Sequence, residues 1–127
     1  MCYELKLTKK SPKIILPSVG CFEKINMLSV VNTNLNQSKA PFGLRWSLIN
    51  NNNQYNCFNW QMPGERDFNC FEVMSCFNFI ASEFSNKNIS GNSELHITIE
   101  SQVVDEDSII DIELDIEERI YTDLILL

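Results

Sequence analysis

The sequence predicts an α+β fold: an antiparallel sheet of about five to seven strands with one or two helices packed on one face. Three observations lead there. Several short segments alternate apolar and polar residues at the two-residue period of a half-buried strand. One longer segment, from about Cys70 to Phe84, carries apolar residues at helical spacing instead. The strands follow one another as hairpins, without the strict β-α-β alternation of a parallel sheet. The chain has 127 residues, 44% of them hydrophobic and 21% charged. That suits one folded domain spanning residues 1–127, because two would leave each with too little core.

In chain order, Cys2 to Thr8 alternates, with Tyr3, Leu5 and Leu7 on one face and Glu4, Lys6 and Thr8 on the other. Lys9 to Pro12 reads as a turn, and Lys13 to Leu16 as a short strand stopped by Pro17. From Cys21 to Leu35 the residues Cys21, Ile25, Leu28, Val31 and Leu35 follow helical spacing, so a helix is expected over 21–35. The β-branched pair Val30-Val31 and the polar Asn32 to Asn36 oppose it. Phe42, Leu44, Trp46 and Leu48 alternate as a strand, Asn50 to Asn53 makes a loop tip, and Phe58 and Trp60 belong to the returning strand. In this hairpin Trp46 is expected to face Phe58. Met62-Pro63-Gly64-Glu65 is a turn with Pro then Gly, as type II prefers.

The helix from Cys70 to Phe84 has Asn69 as its N-cap, and Glu72 three residues on completes a capping box. Its stripe of Cys70, Val73, Met74, Phe77, Ile80, Ala81 and Phe84 is a core face. Asn86 to Ser93, with Gly91, ends it. Glu94 to Glu100 alternates with Leu95, Ile97 and Ile99 inward, and Asp105 to Ser108 is a turn. Then Ile110, Ile112, Leu114 and Ile116 alternate with Asp111, Glu113, Asp115 and Glu117. The tail 118–127 suits either a bulged continuation of this strand or a short helix, and it is apolar enough to dock on the core or on a second copy as a homodimer contact. The order is ββ(α)ββαββ(β).

Charge is unevenly distributed. The chain has 17 acids against 10 bases, a net charge of −7. A general nucleic-acid binder is usually basic, so direct nucleic-acid binding is not expected. Residues 1–45 hold most of the bases, whereas residues 100–127 hold ten acids and one base. A hairpin folded about Glu106-Asp107 would pair Glu100 with Glu113, Thr98 with Asp115, His96 with Glu117 and Glu94 with Arg119. That would form an outer face of about six carboxylates. Like charges directly opposite destabilise a sheet, so something should offset them. Neutralisation by Lys6, Lys9, Lys10 or Lys13, or plain solubility, would suffice. A docking surface for a basic partner is the functional alternative, made of Asp111, Glu113, Asp115, Glu117, Glu94, His96 and Glu100.

Known chemistries find little purchase. The five cysteines, Cys2, Cys21, Cys57, Cys70 and Cys76, are odd in number and form no C-x-x-C pair. They are expected to be small buried hydrophobes in a reducing cytosol rather than a disulfide scaffold or zinc site. No signal-like apolar stretch opens the sequence, no run approaches membrane-helix length, and no lipidation motif occurs, so the expected compartment is the cytoplasm. The single His96 excludes a His-rich metal site, and a Cys–His pair would need a buried thiol beside it. Asp105-x-Asp107 lacks the Gly and the bidentate Glu of a calcium loop, Ile116 standing where the Glu belongs. Gly20, Gly43, Gly64 and Gly91 are isolated, which excludes a phosphate-binding loop. Trp46 and Trp60 are expected to be core residues rather than base-stacking platforms. No catalytic residue, cofactor or metal is expected, and the chain reads as a non-enzymatic binding protein. Fifteen Asn and fourteen Ile beside two Ala suit the AT-rich genome of a bacterium or phage.

In overall profile, a small acidic chain with the Asp111 to Glu117 face, the sequence resembles bacterial immunity proteins, such as those of contact-dependent growth inhibition. The resemblance implies an inhibitor whose acids compete for the lysines and arginines of a basic toxin nuclease. Two other classes fit the composition: a phage-encoded nucleic-acid mimic that blocks a host defence protein, and a small ligand-binding domain with a pocket between sheet and helix.

Overall fold

Alternating segments become strands where their apolar parity matches a neighbour's, and among the described residues seven segments are strands. In the computed structural model they are β1 (Cys2–Thr8), β2 (Lys13–Pro17), β3 (Cys21–Asn32), β4 (Phe42–Asn50), β5 (Asn53–Gln61), β6 (Ser93–Ile99) and β7 (Ile109–Arg119), with the helix α1 (Phe71–Asn86) between β5 and β6. The structure describes residues 1–18, 20–33, 42–50, 52–62, 65–86, 93–100 and 109–119. The fold is α+β and antiparallel. Its strands divide into two sheets rather than one: β1-β7-β3, and β2-β6-β4-β5.

The inner faces of both sheets feed one core. From β7 come Ile110, Ile112, Leu114 and Ile116, all at most 1% exposed; Leu44, Trp46 and Leu48 come from β4, and Leu95 and Ile97 from β6. The helix contributes Val73, Phe77 and Ala81. It packs on β3 and on β5, and so joins an edge of one sheet to an edge of the other. A disulfide between Cys57 of β5 and Cys76 of α1 fixes this contact, with their Cα atoms 6.4 Å apart. The expectation of five reduced, buried cysteines is thereby corrected: two are bonded, Cys2 is exposed, Cys21 is buried and Cys70 is half-buried. The bonded pair stand 19 positions apart in sequence, and they meet only because the inward faces of β5 and α1 are packed together.

Residues 21–32 form a strand where a helix was expected. The physical reason lies in two register irregularities against β7, between Phe22 and Lys24 and between Ile25 and Met27. Each adds a residue that the partner strand does not match, so the apolar positions drift from a period of two toward three or four. Such drift imitates a helix in the sequence. At this irregular stretch Asn78 of α1 stands in for a neighbouring strand. Its Oδ1 accepts from the Ile25 N–H at 2.8 Å, and its Nδ2 donates to the Ile25 carbonyl at 3.3 Å. Further along the same edge, residues 66–68 pair with β3: the Asn32 N–H donates to Arg66 O, and the Phe68 N–H donates to Val30 O. Residues 34–35 of the expected helix lie outside the described residues.

Two expected pairings are corrected. β6 and β7 do not form a hairpin; β6 lies between β2 and β4, and β7 between β1 and β3. In the β4–β5 hairpin Trp46 stands opposite Cys57, and Phe58 opposite Arg45. The helix begins one residue later than expected, and Asn69 Oδ1 accepts from the Phe71 N–H at 3.1 Å. The return arm of the capping box is not made, because the Asn69 N–H donates to Trp60 O instead. The turns at 63–64 and 101–108, the segment 87–92 and the tail 120–127 lie outside the described residues.

Candidate functional site

β7 is the middle strand of its sheet, and its two faces have opposite chemistry. With the four isoleucine and leucine side chains inside, Asp111, Glu113, Asp115 and Glu117 all fall on the outer face. Their neighbours come from β1 and β3. Register places Lys6 and Val31 beside Asp111, Glu4 and Ser29 beside Glu113, Cys2 and Met27 beside Asp115, and Lys24 opposite Glu117.

The row is partly neutralised from the amino-terminal strand, as the alternative of neutralisation by Lys6 expected. Lys6 Nζ lies 3.8 Å from Asp111, and the α-amino group of Met1 lies 3.5 Å from Asp115. These exposed pairs are weak. Among the described residues no ion pair reaches Glu4 or Glu113, which lie between them. The paired backbone bonds between Met1 and Ile116 make 1↔116 a hydrogen-bonded pair. By parity Glu4 and Glu113 form a non-hydrogen-bonded pair, the geometry in which facing side chains come closest. Two glutamates are thus direct cross-strand neighbours in the middle of the β1–β7 ladder. A shallow groove of about 420 Å³ runs past them, lined by Glu4, Leu5, Lys6, Asp111, Ile112 and Glu113. Glu4 was not among the expected site residues. Its polar parity was legible, but its placement beside Glu113 depends on which strand pairs with β7.

The remaining expected site residues lie elsewhere. Glu94 and His96 project from β6 on the outer face of the other sheet, and Glu100 follows that strand. His96 Nε2 is 2.7 Å from Glu94 Oε2, and Glu100 lies 3.7 Å from Arg45 Nε. Arg119 meets Glu23 of β3 at 2.6 Å, not Glu94. Three of the seven expected docking residues therefore separate from the other four. Trp46 is buried as expected, with its indole N–H donating to Asn59 Oδ1 at 2.9 Å. Trp60 is instead 40% exposed and lies across Gly43.

Two of the free thiols, Cys21 and Cys70, are withdrawn from solvent. Burial pushes the Cys21 thiol up, helped by the nearby Glu23, and burial also pushes Cys70 up. Both changes favour the unreactive protonated form. Among the described residues, no three His, Cys, Asp or Glu side chains converge as metal ligands would, and no helix is long and apolar enough to cross a membrane. In comparisons with known proteins, no family model matches the chain, and neither a curated protein nor a solved structure shows significant similarity.

Proposed function

We propose that this chain is a non-enzymatic binding protein, an inhibitor of the immunity type, which neutralises a basic partner such as a toxin nuclease through the outer face of the β1-β7-β3 sheet. The close pairing of Glu4 with Glu113 carries this reading. A face that served solubility alone would gain by placing a cation opposite either carboxylate, as Lys6 already does for Asp111. Keeping two like charges in the closest cross-strand geometry costs stability. A lysine or arginine from a partner would remove that cost on binding. Asp111, Asp115 and Glu117 flank the pair and extend the field that steers a cationic surface toward it. Glu94, His96 and Glu100 are not part of this surface.

The test is affinity for the product of the adjacent gene, measured with wild type and with Glu113→Lys. The substitution reverses the charge at the centre and places a cation beside Glu4. At least a tenfold loss of affinity is expected, with wild-type affinity falling as salt is raised. Affinity unchanged by the substitution and by salt would reject the acidic face as the docking site.

A further inference from the structure

The four sheet edges are treated differently. β3 is covered by residues 66–68 and by Asn78. β1 carries Glu4 and Lys6, and β2 carries Lys13 and ends at Pro17. Charges and prolines are the usual means of discouraging strand addition. The outer strand β5 has neither: its sequence NQYNCFNWQ contains no charge and no proline, and its register with β4 is unbroken.

Parity shows which backbone groups of β5 are open. Asn50 pairs with Asn53 across two intervening residues, so this pair exchanges backbone bonds. Every second pair along the ladder does the same, and the backbones of Gln54, Asn56, Phe58 and Trp60 therefore face away from β4. The bond from the Asn69 N–H to Trp60 O, at 3.2 Å, agrees with that parity and occupies the far end. Among the described residues no backbone bond from outside β5 reaches Gln54, Asn56 or Phe58.

We propose that β5 pairs antiparallel with β5 of a second copy of this chain, about a two-fold axis at Asn56. In this register Asn56 faces Asn56, and Gln54 faces Phe58, so every open group finds a partner. Two features select a second copy as the occupant. The molecule carries a net charge of −7, which opposes self-association almost everywhere, and β5 is an uncharged strand that meets itself without like-charge repulsion. The helix α1, bonded to β5 through Cys57–Cys76, exposes Phe71 at 76% and Phe79 at 68%. A two-fold axis normal to the joined sheet places both helices on the same side, where these rings gain a partner's apolar surface. Phe58, 39% exposed, is covered at the seam itself. The interface is isologous and closed, as most dimers are. It lies on the other sheet from the acidic face and is independent of it.

The experiment is the solution mass of the intact chain by light scattering over a concentration series. Wild type is expected at twice the 14.7 kDa of one chain. Because residue 56 meets itself, Asn56→Lys and Asn56→Asp should each halve the mass, and mixing the two variants should restore the dimer. Circular dichroism checks that each variant is folded. Should either fail to fold, Gln54→Pro, which removes an outward N–H together with the exposed side-chain bond from Gln54 to Asn56, replaces it and should also halve the mass. A monomeric wild type would overturn the proposal. So would a dimer that survives the folded variants, since it must then form elsewhere, for instance through the C-terminal tail.

Discussion

Gly43 shows how much a single position can depend on an absent side chain. A Cβ built there would lie 2.6 Å from the Trp60 ring, closer than any real contact. Gly43 and Trp60 stand opposite each other in a close, non-hydrogen-bonded pair, and the indole fills the space the glycine leaves. Gly43→Val is expected to evict the ring, moving tryptophan emission to longer wavelength and costing about 1–3 kcal/mol in a denaturant titration. The buried thiols make a second prediction. Cys21 and Cys70 both titrate above the ordinary value of 9.0 because burial disfavours the thiolate. The folded state therefore holds protons that the unfolded chain releases. Their contribution is fully present below pH 9 and is lost as the pH rises through the elevated folded values. Urea midpoints should stay level up to about that pH and then fall, and Cys21→Ala should make the decline shallower.

At the scale of elements, α1 is held to the sheets by three kinds of contact. Its apolar stripe enters the core, Asn78 pairs with the backbone of β3, and Cys76 is bonded to β5. The disulfide spans 19 residues. Closing a loop of that size restricts the unfolded chain and is worth about 3 kcal/mol. Reduction, or Cys57→Ser with Cys76→Ser, is expected to lower stability by that order, and the thermal midpoint with it, while the sheets stay formed, as a melting curve followed by circular dichroism would show. An unchanged midpoint on reduction would mean that the bond adds nothing to the packing. Buried amides serve the same elements. Asn59 accepts from Trp46 while its Nδ2 donates to Cys70 Sγ, and Asn32 donates to Gln61 across the two sheets. Asn32, Asn59 and Asn78 thus satisfy polar groups between packed elements.

For the whole molecule, charge is arranged as a compromise between folding and recognition. The cations of the first strand reach Asp111 and Asp115 but leave Glu4 against Glu113. Glu113→Lys should therefore raise stability by roughly 0.2–1 kcal/mol even as it weakens partner binding. Opposite signs for the two effects would separate a functional face from a merely solvated one. A variant that lost both stability and binding would indicate that Glu113 has a structural role instead.

The sequence by itself determined the α+β class, the position of α1, the β4–β5 hairpin and the inward and outward sides of β1, β4, β6 and β7. These follow from periods of two and 3.6 residues, which are local properties of the chain. It also determined that Asp111, Glu113, Asp115 and Glu117 share one face. Only the tertiary structure decided which strands are neighbours. Alternation specifies a face and not a partner, so the acidic row acquired Glu4 and Lys6 instead of Glu100 and His96. The same limit explains β3, whose irregular register erased its period, and Cys57–Cys76, whose meeting depends on packing across a distance in sequence that no local pattern encodes.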